Sequence, residues 1–295
     1  MDVEEETDLI DYSECTYGAS RLAFRGPRRP LDGPYTAVLG GSETYGRFVR
    51  EPFVDIVERQ IGEPVVNLGV MNAGLTLLLD DPAIVQIASQ ARLTVLQVLG
   101  AQNMSNRFYR VHPRRNDRFL GASDSLRALY PDVDFTEFNF TGHLLTALKD
   151  HDARRFDRVV KELRTAWLAR MQHIINSLSG ERVLLWISDR TPDERSTLVS
   201  GLPPYFVDRD MIEALAPDVS GIVEVVPTSA AKNAGLKDMV FEKREAVAAT
   251  ALPNAATHRE IAKALASVVG PIKAGQVSWD AGRPIRRVSR SQHAG

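Results

Sequence analysis

A single cysteine, Cys15, stands among 295 residues, so no intramolecular disulfide can form and the small disulfide-stapled classes are excluded. Histidine is sparse, at six positions, and His143, His151 and His173 have no ligand spacing, so no zinc site is predicted. No run approaches the roughly 18 apolar residues that would span a bilayer. The opening Met1-Asp2-Val3-Glu4-Glu5-Glu6 is acidic and lacks the basic start and apolar run of a secretory signal. With one cysteine, that predicts a cytoplasmic protein. Charge of one sign is also lacking: 36 Lys+Arg face 38 Asp+Glu for a net charge of −2, which argues against a nucleic-acid partner. There is no internal repeat. The glycines at Gly40, Gly41 and Gly46 lack both the Lys-Ser/Thr pair of a phosphate loop and GxGxxG spacing.

What is present is an ordinary globular composition, 44% apolar and 25% charged, enough to bury a sizeable core. Residues 1–34 read as an irregular lead-in, interrupted by Pro27, Pro30 and Pro34. Residues 275–295, rich in Arg, Ser and Gly, read as a flexible tail. Between them, 35–274 reads as one domain of alternating strands and helices. Strands are predicted near Tyr35–Leu39, Val65–Leu68, Leu93–Leu99, Val183–Ile187 and Ile222–Val226. The clearest helix carries Phe156, Val159, Val160, Leu163, Trp167, Met171, Ile174, Ile175 and Leu178 on one face. Asp80 or Asp81 caps a helix that begins at Pro82, and Ile261, Ala262, Leu265 and Val268 mark a last amphipathic helix. Residues 101–140 read as a long, polar, irregular loop. The alternation predicts a flavodoxin-like three-layer α/β/α fold with a mostly parallel five-stranded sheet.

Ligands of such sheets bind beyond the carboxyl ends of the strands. Four such positions carry chemistry: Gly40-Gly41-Ser42-Glu43-Thr44-Tyr45-Gly46, Asn67 to Gly74, Gly100-Ala101-Gln102-Asn103, and Asn254-Ala255-Ala256-Thr257-His258. In order and spacing they resemble the blocks of the SGNH/GDSL hydrolase superfamily. The resemblance implies Ser42 as nucleophile, His258 as base, the Asn72 backbone as an oxyanion donor with Gly74 as fallback, and Gln102 or Asn103 as a second donor. It departs from the pattern twice. Gly41 stands where the family has Asp before the serine, and Ala255 stands where it has Asp three residues before the histidine. The whole chain also resembles an uncharacterised alphaproteobacterial family with the same GGSETYG string.

The chemistry can be stated from the residues themselves. A serine hydroxyl needs a base to take its proton, and an imidazole suits that task near neutrality. A tetrahedral intermediate needs preorganised donors, each worth about 3–4 kcal/mol. An acid normally orients the histidine; its absence here predicts a slow enzyme, an acid from elsewhere, or no catalysis. The bland readings are specific too. Ser42 caps a helix, His258 is a first-turn helix residue, Asn72 and Gly74 shape a turn, and Gln102 and Asn103 satisfy loop backbone groups.

Arg107, Arg110, His112, Arg114 and Arg115 follow directly on the third-strand loop, where they read either as a clamp for an anionic substrate or as a solvated loop paired with nearby aspartates. The expectation is therefore an esterase or acyl-transfer enzyme acting on an anionic ester, a carbohydrate or lipid-head-group ester by analogy. It needs neither metal nor organic cofactor. The rival is the same fold with a decayed site, binding an anionic glycan or a protein partner through the arginines.

Overall fold

The computed structural model describes residues 9–196 and 203–276, with the backbone of 286–290. In chain order its elements open with β1 (Thr36–Gly40), α1 (Ser42–Tyr45), α2 (Phe53–Ile61), β2 (Val65–Gly69), α3 (Leu75–Asp80), α4 (Pro82–Gln90) and β3 (Leu93–Gln97). There follow β4 (Tyr109–His112), β5 (Arg115–Ala122), α5 (Asp124–Leu129), α6 (Thr141–His151), α7 (Ala153–Ser177) and β6 (Glu181–Ile187). The chain continues through α8 (Arg209–Leu215), β7 (Gly221–Val225), α9 (Ser229–Asn233), α10 (Ala246–Thr250), α11 (Ala255–Lys273) and β8 (Arg286–Arg290).

Six strands form one sheet in the order β2-β1-β3-β6-β7-β8, every pair parallel. The first five are the expected strands, in the flavodoxin-like 2-1-3-4-5 order. Each is apolar on both sides because each is covered on both sides. Ala37, Leu39, Leu96, Leu184, Trp186 and Ile222 join one core with α4, α7 and α8. Their neighbours Val38, Val95, Val183, Leu185 and Val223 join a second core with α2 and α11. Strand side chains alternate between faces, so one run of residues feeds two cores.

Two parts of the sequence reading need correction. The segment 101–140 is not irregular: β4 and β5 pair antiparallel as a hairpin, and α5 follows with Ser123 capping it. Tyr109, Val111 and Phe119 turn inward while Arg110 and Arg118 turn out, a period-two pattern hidden by the density of arginine. The tail, in turn, contributes β8 at the sheet edge beside β7; the rest of it beyond Gln276, like residues 1–8, lies outside the described residues. Within the lead-in, residues 9–34 form no helix, yet Tyr17, Leu22, Phe24 and Arg25 are buried. Arg25 donates to Gly46 O at 2.5 Å and Arg50 O at 2.8 Å, closing the carbonyl end of α1 and the turn after it. Among the described residues no helix is long and apolar enough to cross a membrane.

Candidate active site

β2 and β3 lie on opposite sides of β1, so the order of the sheet reverses there and leaves a crevice at the carboxyl ends. The three loops that follow these strands close a cavity of about 220 Å³ lined by Ser42, Glu43, Asn72, Gln102 and Asn103. Ser42 does not cap α1, whose cap is Gly41. Its Oγ instead accepts the Asn72 N–H at 3.1 Å. Asn72 holds a left-handed φ of 57°, a region that asparagine tolerates better than most residues. The Gly74 N–H is spoken for: it donates to Asn116 Oδ1 at 2.8 Å, as does Leu77 N at 3.0 Å.

The wall supplied by β3 is equally specified. Asn103 Oδ1 accepts from Thr141 Oγ1 at 2.6 Å, which fixes the amide and leaves Nδ2 as the donor on the cavity side chain. Gln102 folds back over Gly100 and buries Oε1 with no partner. Beneath them Gln97, the last residue of β3, accepts from Gly41 N at 2.9 Å and Thr44 Oγ1 at 2.7 Å, and donates to Glu43 Oε2 at 2.9 Å. One buried amide thus locks the turn that carries Ser42. A side-chain carbon at Gly41 would lie 3.0 Å from Glu43 Oε2. Glycine at this position leaves room for the Glu43 carboxylate to lie over the turn.

His258 is elsewhere. It is 1% exposed and lies within the second core, its ring stacked on Phe53 at 5.8 Å. Its Nδ1 accepts the Phe53 N–H at 3.0 Å, satisfying an orphan donor in the first turn of α2. Burial, and then the charge of Arg25, push this imidazole down to about 3, so it is neutral. The sequence carries the reason: His258 leads the buried stripe Ile261, Ala262, Leu265 at steps of three, four and seven, the core face of α11. The residue that α11 turns toward the cleft is Thr257. Asn254 caps the helix by accepting Thr257 N at 2.9 Å, and donates to Ala231 O at 2.8 Å and Gly235 O at 2.9 Å, two bonds an aspartate could not make.

Glu43, Ile187, Pro203 and Leu252 are shared with a second cavity of about 500 Å³. Its walls include Tyr205, Leu236, Ala249, Ala251 and Pro253, with Asp189 paired to Lys232 at 3.3 Å. Pro203, Pro204 and Tyr205 thus border the cleft; their neighbours Gly201 and Leu202 lie outside the described residues. Arg107, Arg110, His112, Arg114 and Arg115 line neither cavity. They sit on or beside the β4–β5 hairpin, and the four arginines are exposed with no ion pair among the described residues. They stand outside the walls of the cavity beside Ser42, on a solvated surface, and among the described residues form no ion pair with the nearby aspartates. From the same hairpin the buried Asn116 accepts from Gly74 N and Leu77 N at the start of α3. Among the described residues no group of three or more His, Cys, Asp or Glu could hold a metal.

A family model matches residues 1–273. The chain belongs to the family described as Domain of unknown function (DUF6473). A search of the curated proteins finds no significant match. The DUF6473 chain is similar at 14% identity to the crystal structure of the lipase Lip_vut3 from a goat rumen metagenome, over 80% of this chain and 97% of that one, with a TM-score of 0.39. It is similar at 11% identity to a family two carbohydrate esterase from Clostridium thermocellum in complex with cellohexaose, over 86% of this chain and 68% of that one, with a TM-score of 0.42. Scores this low decide nothing about function, and the fold of the DUF6473 chain follows from its own strand order.

Sequence reasoning overlooked Glu43, Gln97, Asn116 and Thr257. Glu43 stood inside the quoted motif, next to Ser42. Gln97 was legible as a polar residue ending a central strand, where a buried amide must find partners. The loops are tightly fitted: a side-chain carbon at Gly74 would lie 1.7 Å from Asn103 O. Gly74→Ala is therefore expected to cost about 1–3 kcal/mol in chemical denaturation by forcing these loops apart.

Proposed function

We propose that Ser42 is the nucleophile of an esterase or acyl-transfer site that works without a histidine, with Glu43 as its base. The observation that carries this reading is the hydrogen bond from Asn72 N–H to Ser42 Oγ in a cavity whose one titratable side chain, among the described residues, is Glu43. Glu43 takes the serine proton directly or through one water. The acyl carbon is attacked by Oγ, and the carbonyl oxygen gains negative charge. Asn72 N–H and Asn103 Nδ2 receive that charge. Collapse expels the leaving alcohol, protonated by Glu43, and water or a second alcohol then takes the acyl group.

The chemistry of the cleft also alters the expected substrate. With Glu43, Asp189 and Lys232 as its charged groups and no arginine on its walls among the described residues, it suits a neutral acyl or glycosyl ester better than an anionic one. The larger cavity is the place for the bulk of such a substrate.

A second reading is favoured by one observation. Among the described residues no imidazole lines either cavity, and a carboxylate is a far weaker base than imidazole for a hydroxyl. On this reading the cavity holds a carbonyl compound and does not turn it over. Labelling with a fluorophosphonate separates the two. The proposal expects a covalent adduct mapped to Ser42 by peptide mass spectrometry and absent from Ser42→Ala. An unlabelled wild-type protein that still binds esters by calorimetry supports the second reading instead.

A further inference from the structure

The arginines that do not serve the cleft remain to be explained. Arg107, Arg110, Arg114, Arg115 and Arg118 are all exposed, and none has an ion pair among the described residues. The segment's single acid, Asp117, turns Oδ1 into the interior, where it has no partner. Interleaved with them are two of the chain's exposed large apolar side chains, Leu120 at 55% and Phe140 at 44%. These are neighbours. Arg118 and Leu120 are two apart on β5 and both point outward, and Arg118 pairs with Phe140 across an antiparallel bridge. The Arg118 guanidinium lies over the Phe140 ring at 4.9 Å.

We propose that the β4–β5 hairpin docks this protein on an anionic lipid surface. Apolar tips beside unpaired guanidiniums match an interface in which Leu120 and Phe140 enter the acyl boundary and the arginines meet headgroup phosphates. The exposed apolar pair favours a lipid surface over nucleic acid, which would meet guanidiniums alone. The hairpin is rigidly tied to the rim of the cleft. Asn116 Oδ1 holds Gly74 N and Leu77 N, and Tyr109 OH donates to Gln102 O at 2.6 Å. A bilayer on the hairpin therefore lies beside the opening at the carboxyl end of the sheet. The inference stands apart from catalysis, because it rests on residues that line neither cavity.

The test is co-sedimentation of the full chain with phosphatidylglycerol vesicles, phosphatidylcholine vesicles and a duplex DNA oligonucleotide at two salt concentrations. Binding to phosphatidylglycerol alone is expected, weakening at high salt, with about a fivefold loss for each arginine neutralised. Arg114→Glu with Arg115→Glu is expected to abolish it. Leu120→Ser with Phe140→Ser is expected to weaken lipid binding, with unchanged circular dichroism in both variants. The inference is overturned if phosphatidylglycerol vesicles fail to pellet the protein, if these variants bind like wild type, or if DNA binds more tightly than the vesicles.

Discussion

Glu43→Gln is expected to lower the rate of fluorophosphonate labelling, and any ester turnover, about 100- to 1,000-fold, or about 2.7–4 kcal/mol of barrier. The substitution keeps shape and can still accept from Gln97 Nε2, which now meets Glu43 Oε2 at 2.9 Å, so the Ser42 turn stays locked. What disappears is the group that takes the proton. His258→Asn makes the converse test. Its imidazole is buried in the second core and accepts from Phe53 N, so losing it should leave the labelling rate near that of wild type. Loss of labelling in His258→Asn with full labelling in Glu43→Gln would reverse the assignment.

Legibility in the sequence followed the physics of each region. The strands β1, β2, β3, β6 and β7 were readable because a parallel sheet buried on both faces demands short apolar runs, and Val183 to Ile187 is one. β8 was not readable: Arg286-Arg287-Val288-Ser289-Arg290 holds one apolar residue, and only its edge position beside β7 makes it a strand. The hairpin was masked by charge although Tyr109, Val111 and Phe119 alternate as a half-buried strand should. That Ser42, Asn72, Gln102 and Asn103 line one cavity was legible because loops after parallel strands converge at one rim whatever their sequences. His258 was misplaced because helix register decides its face. One residue turns a side chain by about 100°, enough to send His258 into the core and Thr257 into the cleft. The apolar spacing of α11 carries that information.

The same buried imidazole makes acid stability the second large effect. Its folded value is about 3, whereas an unfolded histidine titrates near 6.5. Between those values the unfolded chain binds a proton that the folded chain refuses. Stability is therefore complete above about pH 6.5 and falls as pH drops through this window. By pH 5 the loss from this one group is about 2 kcal/mol. Asp55 works the other way, since burial raises its carboxyl and its contribution is lost as pH rises. Asp134, Asp152 and Glu245, held below their ordinary values by hydrogen bonds, matter only at lower pH. Comparing wild type with His258→Asn cancels those groups. Asn retains an acceptor for Phe53 N–H but binds no proton, so it is expected to be less stable than wild type at pH 7 through lost packing on Phe53, yet to lose about 2 kcal/mol less between pH 7 and 5. Urea denaturation of both proteins at the two pH values measures the difference. Parallel acid slopes would mean that His258 titrates normally in the folded protein, and an imidazole able to do that is not sealed inside the core.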